Sequence, residues 1–180
     1  DLIGDDATMV AILLTQWGVS AGLVGTTLGN DDAGRETIRE LQEMGVVGEF
    51  RTSPEVRTPI ELSISDSDGN RTYVWKKEPH VLATLDTADI SAIRGSRLLY
   101  VDWYDGPNIL RAMKEAAQHG VPVFLNFEHE HRDEELLERY APYVSIYQAT
   151  TDHAQQHIEQ AEETARKLLN KGASTVLVTM

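Results

Sequence analysis

Apolar and polar residues follow two different periods along the chain, and both occur between Gly18 and Val46. Ala21–Val24 is a short apolar run of the kind that forms a buried strand. In Arg35–Met44, apolar residues recur every third position with charged residues between them, which predicts an amphipathic helix. Gly45 follows this pattern, as a glycine commonly does after the last turn of a helix. The stretch therefore predicts a strand, a glycine-rich turn and a helix.

The same succession continues along the rest of the chain. The predicted helices are Ala7–Trp17, Arg35–Met44, Pro107–His119, Glu134–Arg139 and Asp152–Lys171. The predicted strands or extended segments are Ala21–Val24, Val46–Ser53, Leu98–Val101, Pro122–Phe127, Tyr143–Tyr147 and Thr175–Thr179. The first helix is apolar around most of its circumference, so we expect it to be well buried. Alternating helices and strands predict an α/β fold with three layers, in which helices cover both faces of a mostly parallel sheet.

One segment, Thr58–Lys77, has a different pattern. Its apolar residues at positions 60, 62 and 64 alternate with polar ones, which indicates a strand with one solvated face. Asp68-Gly69 is a strong signal for a hairpin turn, and Arg71–Trp75 is the predicted return strand. We therefore predict an α/β core at 1–57 and 78–180, interrupted by an antiparallel hairpin at 58–77.

Composition narrows the function classes. The 180 residues include 29 acidic and 16 basic side chains, with a formal net charge of −13. Such a balance argues against nucleic acid or an anionic membrane as a partner, although a local backbone site still suits a phosphorylated ligand. The chain has no cysteine, and no apolar run approaches the roughly 20 residues that span a bilayer. These features predict a cytoplasmic protein.

The glycine-rich turn contains a more specific signal. Gly29, Asp31 and Gly34 form a G-x-D-x-x-G pattern between a strand and a helix, and Gly45-Val46 follows the helix. This arrangement resembles the first signature of the ribokinase-type carbohydrate kinases. The order of the other segments agrees: a glycine-containing start to the first helix at Gly4–Met9, a β lid, and a final T-V-L-V-T strand. From the lid to residue 148, the chain is most similar to the ketohexokinase branch.

The resemblance implies transfer of the γ-phosphoryl group of ATP to a sugar hydroxyl with Mg²⁺. The family's catalytic base lies in a G-x-G-D motif, which does not occur in this sequence, and we expect it beyond Met180. We also expect the family's first strand, with its sugar-binding Asp, to lie before Asp1. We therefore expect a fragment that is inactive alone, from a protein that is a kinase in its full-length form.

Acceptor recognition is predicted at the start of the first helix. Asp6 aligns with a family residue, usually Asn, that contacts the sugar, and Asp5 is a weaker candidate. The alternative is that both carboxylates only stabilise the helix N-terminus. Met9 falls where the family usually has a second Asn. Asp31 and Asp32 are predicted to be helix-capping and turn residues instead of catalytic groups.

A second set of polar candidates follows the later strands. Asp102 is predicted to be a substrate contact at the edge of the sheet, as is Asp105. Asn126 and Glu128 are predicted to make a polar contact near the nucleotide or Mg²⁺. His129 and His131 suggest a metal site, but we favour a solvated acidic loop and predict no metal site there.

The family's N-x-x-E motif would fall near positions 150 to 153, where Thr150 and His153 stand. That departure and Met9 motivate the alternative function, a non-catalytic relative that binds a sugar or metabolite. A third possibility, another doubly wound binding domain, is weakened by the hairpin. The hairpin has two readings, since its apolar face can close over the substrate or pair with a second lid in a homodimer.

Overall fold

The computed structural model describes residues 3–4, 6–76, 78–150 and 158–179. The helices are α1 (Asp6–Gln16), α2 (Asp32–Glu43), α3 (Pro79–Ala83), α4 (Ile109–Gln118), α5 (Glu134–Tyr140) and α6 (Ile158–Asn170). The strands are β1 (Gly22–Leu23), β2 (Leu28–Gly29), β3 (Val47–Gly48), β4 (Thr52–Ser53), β5 (Ile60–Ser65), β6 (Arg71–Lys76), β7 (Leu99–Asp102), β8 (Val123–Glu128), β9 (Ile146–Thr150) and β10 (Thr175–Thr179). Contacts divide the chain into two compact units, Asp1–Asp89 and Ile90–Met180.

The first unit contains two short parallel pairs, β1 with β3 and β2 with β4. In sequence, α2 follows β2 and precedes β3, and it has the predicted caps. Asp31 accepts a hydrogen bond from the Gly34 amide at its start, and Gly45 has a φ of 78° at its end. The Val46 amide then donates to the Leu41 carbonyl, which completes a Schellman motif. The predicted role of Asp31 as a helix cap is confirmed.

The expected burial of α1 is wrong in part. Only Ala11 and Ile12 of this helix are buried, and they pack with Leu41 and Val46 in a small core. Met9 and Leu13 of the helix are 40% and 39% exposed, and Trp17, directly after it, is 73% exposed. An all-round apolar sequence is compatible with burial on every side, but within this unit only one side of α1 meets packing partners.

The hairpin forms where the sequence predicts it. β5 and β6 pair antiparallel, with Leu62 opposite Val74, around a turn in which the Asp66 carboxylate accepts from the Asn70 amide. The sequence predicted that only one face of β5 is solvated, but every residue of the strand is exposed. A two-stranded ribbon has no second layer of its own, so its apolar face stays in contact with solvent.

The second unit is built on a parallel four-stranded sheet in the order β10-β9-β8-β7. Its interior includes Val123, Leu125 and Phe127 of β8 and Tyr147 of β9, all with no exposed surface. The sequence of a strand that is buried on both faces is a nearly continuous apolar run, as it is in β8. The predicted α/β class, with a mostly parallel sheet and a small antiparallel hairpin, is confirmed.

Boundaries differ from expectation at three places. β9 spans Ile146–Thr150 instead of Tyr143–Tyr147, because Ala141–Tyr143 forms a 3-10 turn started by Pro142. α3 and the two 3-10 turns after it carry no clear periodicity, and the sequence did not predict them. The predicted start of the last helix at Asp152 lies outside the described residues. No helix in the described part of the chain is long and apolar enough to cross a membrane.

Candidate functional site

The carboxyl ends of the four parallel strands carry polar side chains. β7 ends at Asp102, β8 at Glu128, β9 at Thr150 and β10 at Thr179. The register places Asp102 opposite Asn126, and it places Thr179 opposite Thr150, with their hydroxyl oxygens 2.9 Å apart. Ligands of open parallel α/β sheets bind beyond this edge. Asp102, Asn126 and Glu128, which the sequence named as candidates, are therefore brought together at the expected edge, whereas the side chain of Asp105 lies outside what the structure describes.

Asp102 and Asn126 form a buried pair. Their residues are 1% and 2% exposed, and the Asn126 Nδ2 donates to Asp102 Oδ2 at 3.3 Å. Asp102 Oδ1 accepts from the Tyr104 amide at 3.0 Å, which caps the 3-10 turn Trp103–Asn108. A buried carboxylate is costly unless such donors surround it. These bonds fix the direction in which the chain leaves β7.

Glu128 occupies an unusual backbone position at the end of β8. Its φ is 43°, and it is the one non-glycine residue with positive φ in the described part of the chain. The register between β8 and β9 shifts between Asn126 and Glu128, as in a β-bulge. Positive φ in a residue with a Cβ stores roughly 1–3 kcal/mol of strain, and such strain is concentrated at functional sites. Glu128 is therefore the candidate residue that the backbone geometry singles out.

The Glu128 carboxylate reaches the loop after β7. Its Oε2 accepts from Trp103 Nε1 and from the Tyr104 hydroxyl, each at 3.3 Å. The two aromatic rings stack on each other with centroids 4.3 Å apart. The sequence did not link these residues, because Trp103 and Glu128 are 25 positions apart. The signal that was available is the placement of two aromatic residues directly after a strand.

The two histidines after β8 have structural contacts. His129 Nδ1 lies 3.0 Å from the Thr150 carbonyl, and His131 Nδ1 lies 2.7 Å from the Glu128 carbonyl. His131 is only 4% exposed, so the expectation of a solvated loop is wrong for this residue. Burial lowers the pKa of His131, which keeps its ring neutral. Among the described residues, no group of three or more His, Cys, Asp or Glu side chains is arranged to hold a metal ion.

A side chain of α6 also contacts the loop that follows β8. Lys167 Nζ donates to the His131 carbonyl at 3.0 Å and pairs with Glu134 at 2.5 Å. One turn later, Lys171 pairs with Glu138. The hydrogen bond from Lys167 lowers the pKa of Glu134. The carboxylates of both pairs belong to α5 and are well exposed, so each pair contributes little to stability.

The acceptor candidates lie in the first unit. Asp6 is the first residue of α1 and is exposed, as expected for a residue that either caps the helix or contacts a ligand. Met9 lies one turn further on and is 40% exposed. Asp5 lies outside the described residues, as does His153. Both readings of Asp6 therefore stay open as predictions.

A groove of about 310 Å³ lies at the opposite edge of the sheet. It is lined by residues that precede β8 and β9, including Pro122, Tyr143 and Ser145. The amino ends of parallel strands carry no ligand site in this class of sheet. The carboxyl edge, with Asp102 and Glu128, is therefore the candidate functional site of this unit.

Comparison with known proteins agrees with this architecture. The family model described as "pfkB family carbohydrate kinase" matches residues 6–180. The chain therefore belongs to the pfkB family of carbohydrate kinases. Among curated proteins, none matches the sequence significantly.

Solved structures share the fold at low sequence identity. A nucleoside kinase from Burkholderia thailandensis in complex with inosine is 17% identical, with a TM-score of 0.74, over 97% of this chain and 56% of that one. The fructokinase of Halothermothrix orenii is 15% identical, with a TM-score of 0.80, over 96% of this chain and 66% of that one.

An ATP-bound fructokinase from Xylella fastidiosa is 15% identical, with a TM-score of 0.74, over 97% of this chain and 62% of that one. The chain thus spans about three fifths of the length of these structures. At such identities the likeness establishes the ribokinase-like fold, and it leaves the acceptor to be argued from the residues.

Proposed function

We propose that this chain forms the acceptor-binding part, the lid and part of the nucleotide-binding edge of an ATP-dependent carbohydrate kinase. The observation that carries the proposal is the set of Asp102, Asn126 and Glu128 at the carboxyl edge of the parallel sheet, within a chain that matches the family from residue 6 to residue 180. The reaction moves the γ-phosphoryl group of ATP to a hydroxyl of the acceptor. Positioning and neutralisation of charge supply most of the catalysis in such transfers.

On the acceptor side, we assign Asp6 as a sugar contact and Asp5 as a weaker one. A carboxylate accepts hydrogen bonds from the hydroxyls of a sugar. The hairpin β5–β6 is assigned as the lid that excludes water from the acceptor. No residue of these 180 is assigned as the catalytic base.

On the nucleotide side, Glu128 is the direct contact, and Asn126 and Asp102 support it from within the sheet. Mg²⁺ in phosphoryl-transfer sites binds one or two carboxylates together with phosphate oxygens and water. A single edge carboxylate such as Glu128 fits that donor set, whereas the Asp102 side chain is buried against Asn126 and Tyr104. Glu128 would help to hold Mg²⁺, which would neutralise charge on the phosphates.

The decisive experiment measures ADP release by the full-length protein with ATP, Mg²⁺ and a panel of sugars and nucleosides. Acceptor-dependent ADP supports the kinase and identifies its acceptor. Asp6→Ala should then raise the KM for that acceptor about tenfold or more, because a lost hydrogen bond to a charged group costs roughly 1.5–3 kcal/mol. Asp32→Ala is the matched control, since Asp32 also begins a helix but pairs with Arg35 on the surface.

The second candidate is a non-catalytic relative that binds a sugar or metabolite. Met9 favours it, because a thioether replaces the amide expected to bind the acceptor. No turnover with any acceptor, together with a rise in melting temperature caused by one of them, would establish this alternative. Unchanged kinetics in Asp6→Ala would remove Asp6 from the acceptor site.

We also propose a cytoplasmic location and a homodimer formed through the lid. One face of the hairpin carries Ile60, Leu62, Ile64 and Val74, which are all 52–62% exposed. A continuous apolar face of this kind favours association with a second copy. If the protein forms this dimer, introduction of a charged residue on this face should convert dimers to monomers and so lower the molecular mass measured in solution.

A further inference from the structure

The Asp31 carboxylate joins the start of α2 to the segment that leads into the hairpin. Its Oδ1 accepts from the Gly34 amide at 2.9 Å and from the Thr58 hydroxyl at 2.6 Å. Its Oδ2 accepts from the Thr58 amide at 3.2 Å. The Thr58 hydroxyl oxygen in turn accepts from the Gly29 amide at 3.0 Å. Only one of these four bonds is needed to cap the helix, and the other three involve Thr58.

The two glycines of the pattern make room for this network. A Cβ on Gly29 would lie 2.7 Å from the Thr58 nitrogen and would also overlap the Asp31 carboxylate. A Cβ on Gly34 would lie 2.7 Å from the Thr58 hydroxyl oxygen and would overlap the Gly29 carbonyl. Real side chains do not tolerate such distances. The G-x-D-x-x-G pattern is therefore built around the approach of Thr58, as much as around the helix cap.

Thr58 occupies the root of the hairpin. β5 begins two residues later at Ile60, and Pro59 lies between them. Proline fixes its own φ and confines the preceding residue to extended conformations, so the path from Thr58 to Ile60 is stiff. The strands themselves are exposed and are paired with each other. A stiff connection transmits the position of Thr58 to the whole hairpin.

We propose that Asp31 is a positioning residue that holds the root of the hairpin through Thr58 and so sets the pose from which the lid closes over the acceptor. This inference rests on the proposed function, in which the hairpin is the lid. Asp31 itself touches neither acceptor nor nucleotide in this proposal. Its carboxylate is suited to the task, because it can accept from several donors at once.

The electrostatics of Asp31 agree with this role. The Thr58 hydroxyl, followed by the Gly34 amide, lowers the pKa of the Asp31 carboxyl group. It is therefore ionised throughout the neutral range. Asparagine at this position can keep the Oδ1 bonds to the Gly34 amide and the Thr58 hydroxyl, but a nitrogen in the place of Oδ2 cannot accept from the Thr58 amide. The substitution Asp31→Asn thus keeps the cap of α2 and removes one hydrogen bond to the root of the hairpin.

The test uses four variants of the full-length protein: Thr58→Val, Thr58→Ser, Asp31→Asn and, as a matched control, Asp32→Asn. Hydrogen exchange of the amides in 60–65 reports the hairpin without reference to activity. We expect exchange about fivefold faster in Asp31→Asn, which loses one hydrogen bond with a net value of about 1 kcal/mol, and at least as much faster in Thr58→Val, which loses two. The KM for the acceptor should rise about fivefold with little change in kcat. Thr58→Ser, which keeps the hydroxyl, should have the exchange rate and the KM of the wild type. Asp32→Asn should change neither.

Unchanged hairpin exchange in both Thr58→Val and Asp31→Asn would overturn the proposal, as would an equal increase in Asp32→Asn. Faster exchange with an unchanged KM would also overturn it, because the pose of the lid would then not affect the acceptor. If exchange responds as expected but no acceptor is phosphorylated, the proposed kinase function fails, and the positioning of the hairpin by Asp31 stands. A Thr58→Val protein that does not fold leaves Asp31→Asn and Thr58→Ser to decide.

Discussion

Leu62 in β5 and Leu125 in β8 are the same residue type in strands of six residues each. Leu62 is 58% exposed, and Leu125 has no exposed surface. The sequence around them differs accordingly: in β5 apolar and polar residues alternate, whereas β8 begins with a nearly continuous apolar run. The comparison shows that a strand's pattern predicts how many of its faces can be buried. It does not predict whether a partner for that face is present.

The same contrast separates structural from functional roles. The four-stranded sheet buries its apolar residues and presents polar ones at its carboxyl edge. The hairpin presents its apolar residues to solvent. The hairpin, which we propose to be the lid, therefore contributes little buried area to its own unit, whereas the sheet buries most of its apolar residues.

The largest expected effect is on the stability of the sheet. Leu125→Ala removes buried methyl groups from a packed interior and should lower the free energy of unfolding by about 2–5 kcal/mol. Leu62→Ala should change it by less than about 0.5 kcal/mol, because its side chain is already in water. Denaturant unfolding of both variants measures the difference. A similar loss in both would show that the hairpin is packed like a core strand.

A smaller effect is expected on the pH dependence of stability in the second unit. The pKa of His131 in the second unit is lowered from its ordinary value of 6.5, chiefly by burial and further by the charges of Arg132, Lys167 and His129, although its bond to the Glu128 carbonyl opposes this. The unfolded chain therefore binds more protons than the folded one once the pH falls below about 6.5. Stability contributed by neutral His131 is complete above that pH and is lost as the pH falls towards the lowered pKa.

Unfolding measured from about pH 7.5 down to about pH 5.5 checks this sign. His131→Gln keeps a donor for the Glu128 carbonyl and should weaken the pH dependence. An identical slope in His131→Gln would contradict the assignment of the pH dependence to His131.

The smallest effect on folding, and the clearest on assembly, is expected at the hairpin face. Leu62→Glu should leave the monomer as stable as the wild type, because position 62 is exposed. It should convert a dimer formed through this face into monomers, since a charge on an apolar contact surface is not compensated. Light scattering over a range of protein concentrations measures the mass. A dimer that persists in Leu62→Glu, or a wild type that is monomeric throughout, would exclude this interface.

Much of the architecture could be predicted from local pattern. Gly45 and Asp31 mark the ends of α2 as expected, because caps depend on residues within one turn. The hairpin and β10 follow from period and turn chemistry, and β10 has the predicted bounds. β9 was displaced because the apolar run 143–147 fits either of two starting points, and Pro142 selects the later one by forming a 3-10 turn.

The candidate site was predictable in part. The sequence named Asp102, Asn126 and Glu128 because each lies at the end of a predicted strand, and parallel strands bring such ends to one edge. It could not predict that Asn126 would be bonded to a buried Asp102, nor that Glu128 would have positive φ beside Trp103. Those features depend on the register between strands that are distant in sequence.

By itself, the sequence determined the α/β class, the hairpin, the helix caps and the pattern that leads to the pfkB family, because these depend on short-range periodicity and on glycines with local roles. Only the tertiary structure decided which apolar faces are covered, where His131 is buried, and that Asp31 holds Thr58 across 27 positions. Such contacts arise when distant segments pack together, and no local pattern specifies the partner.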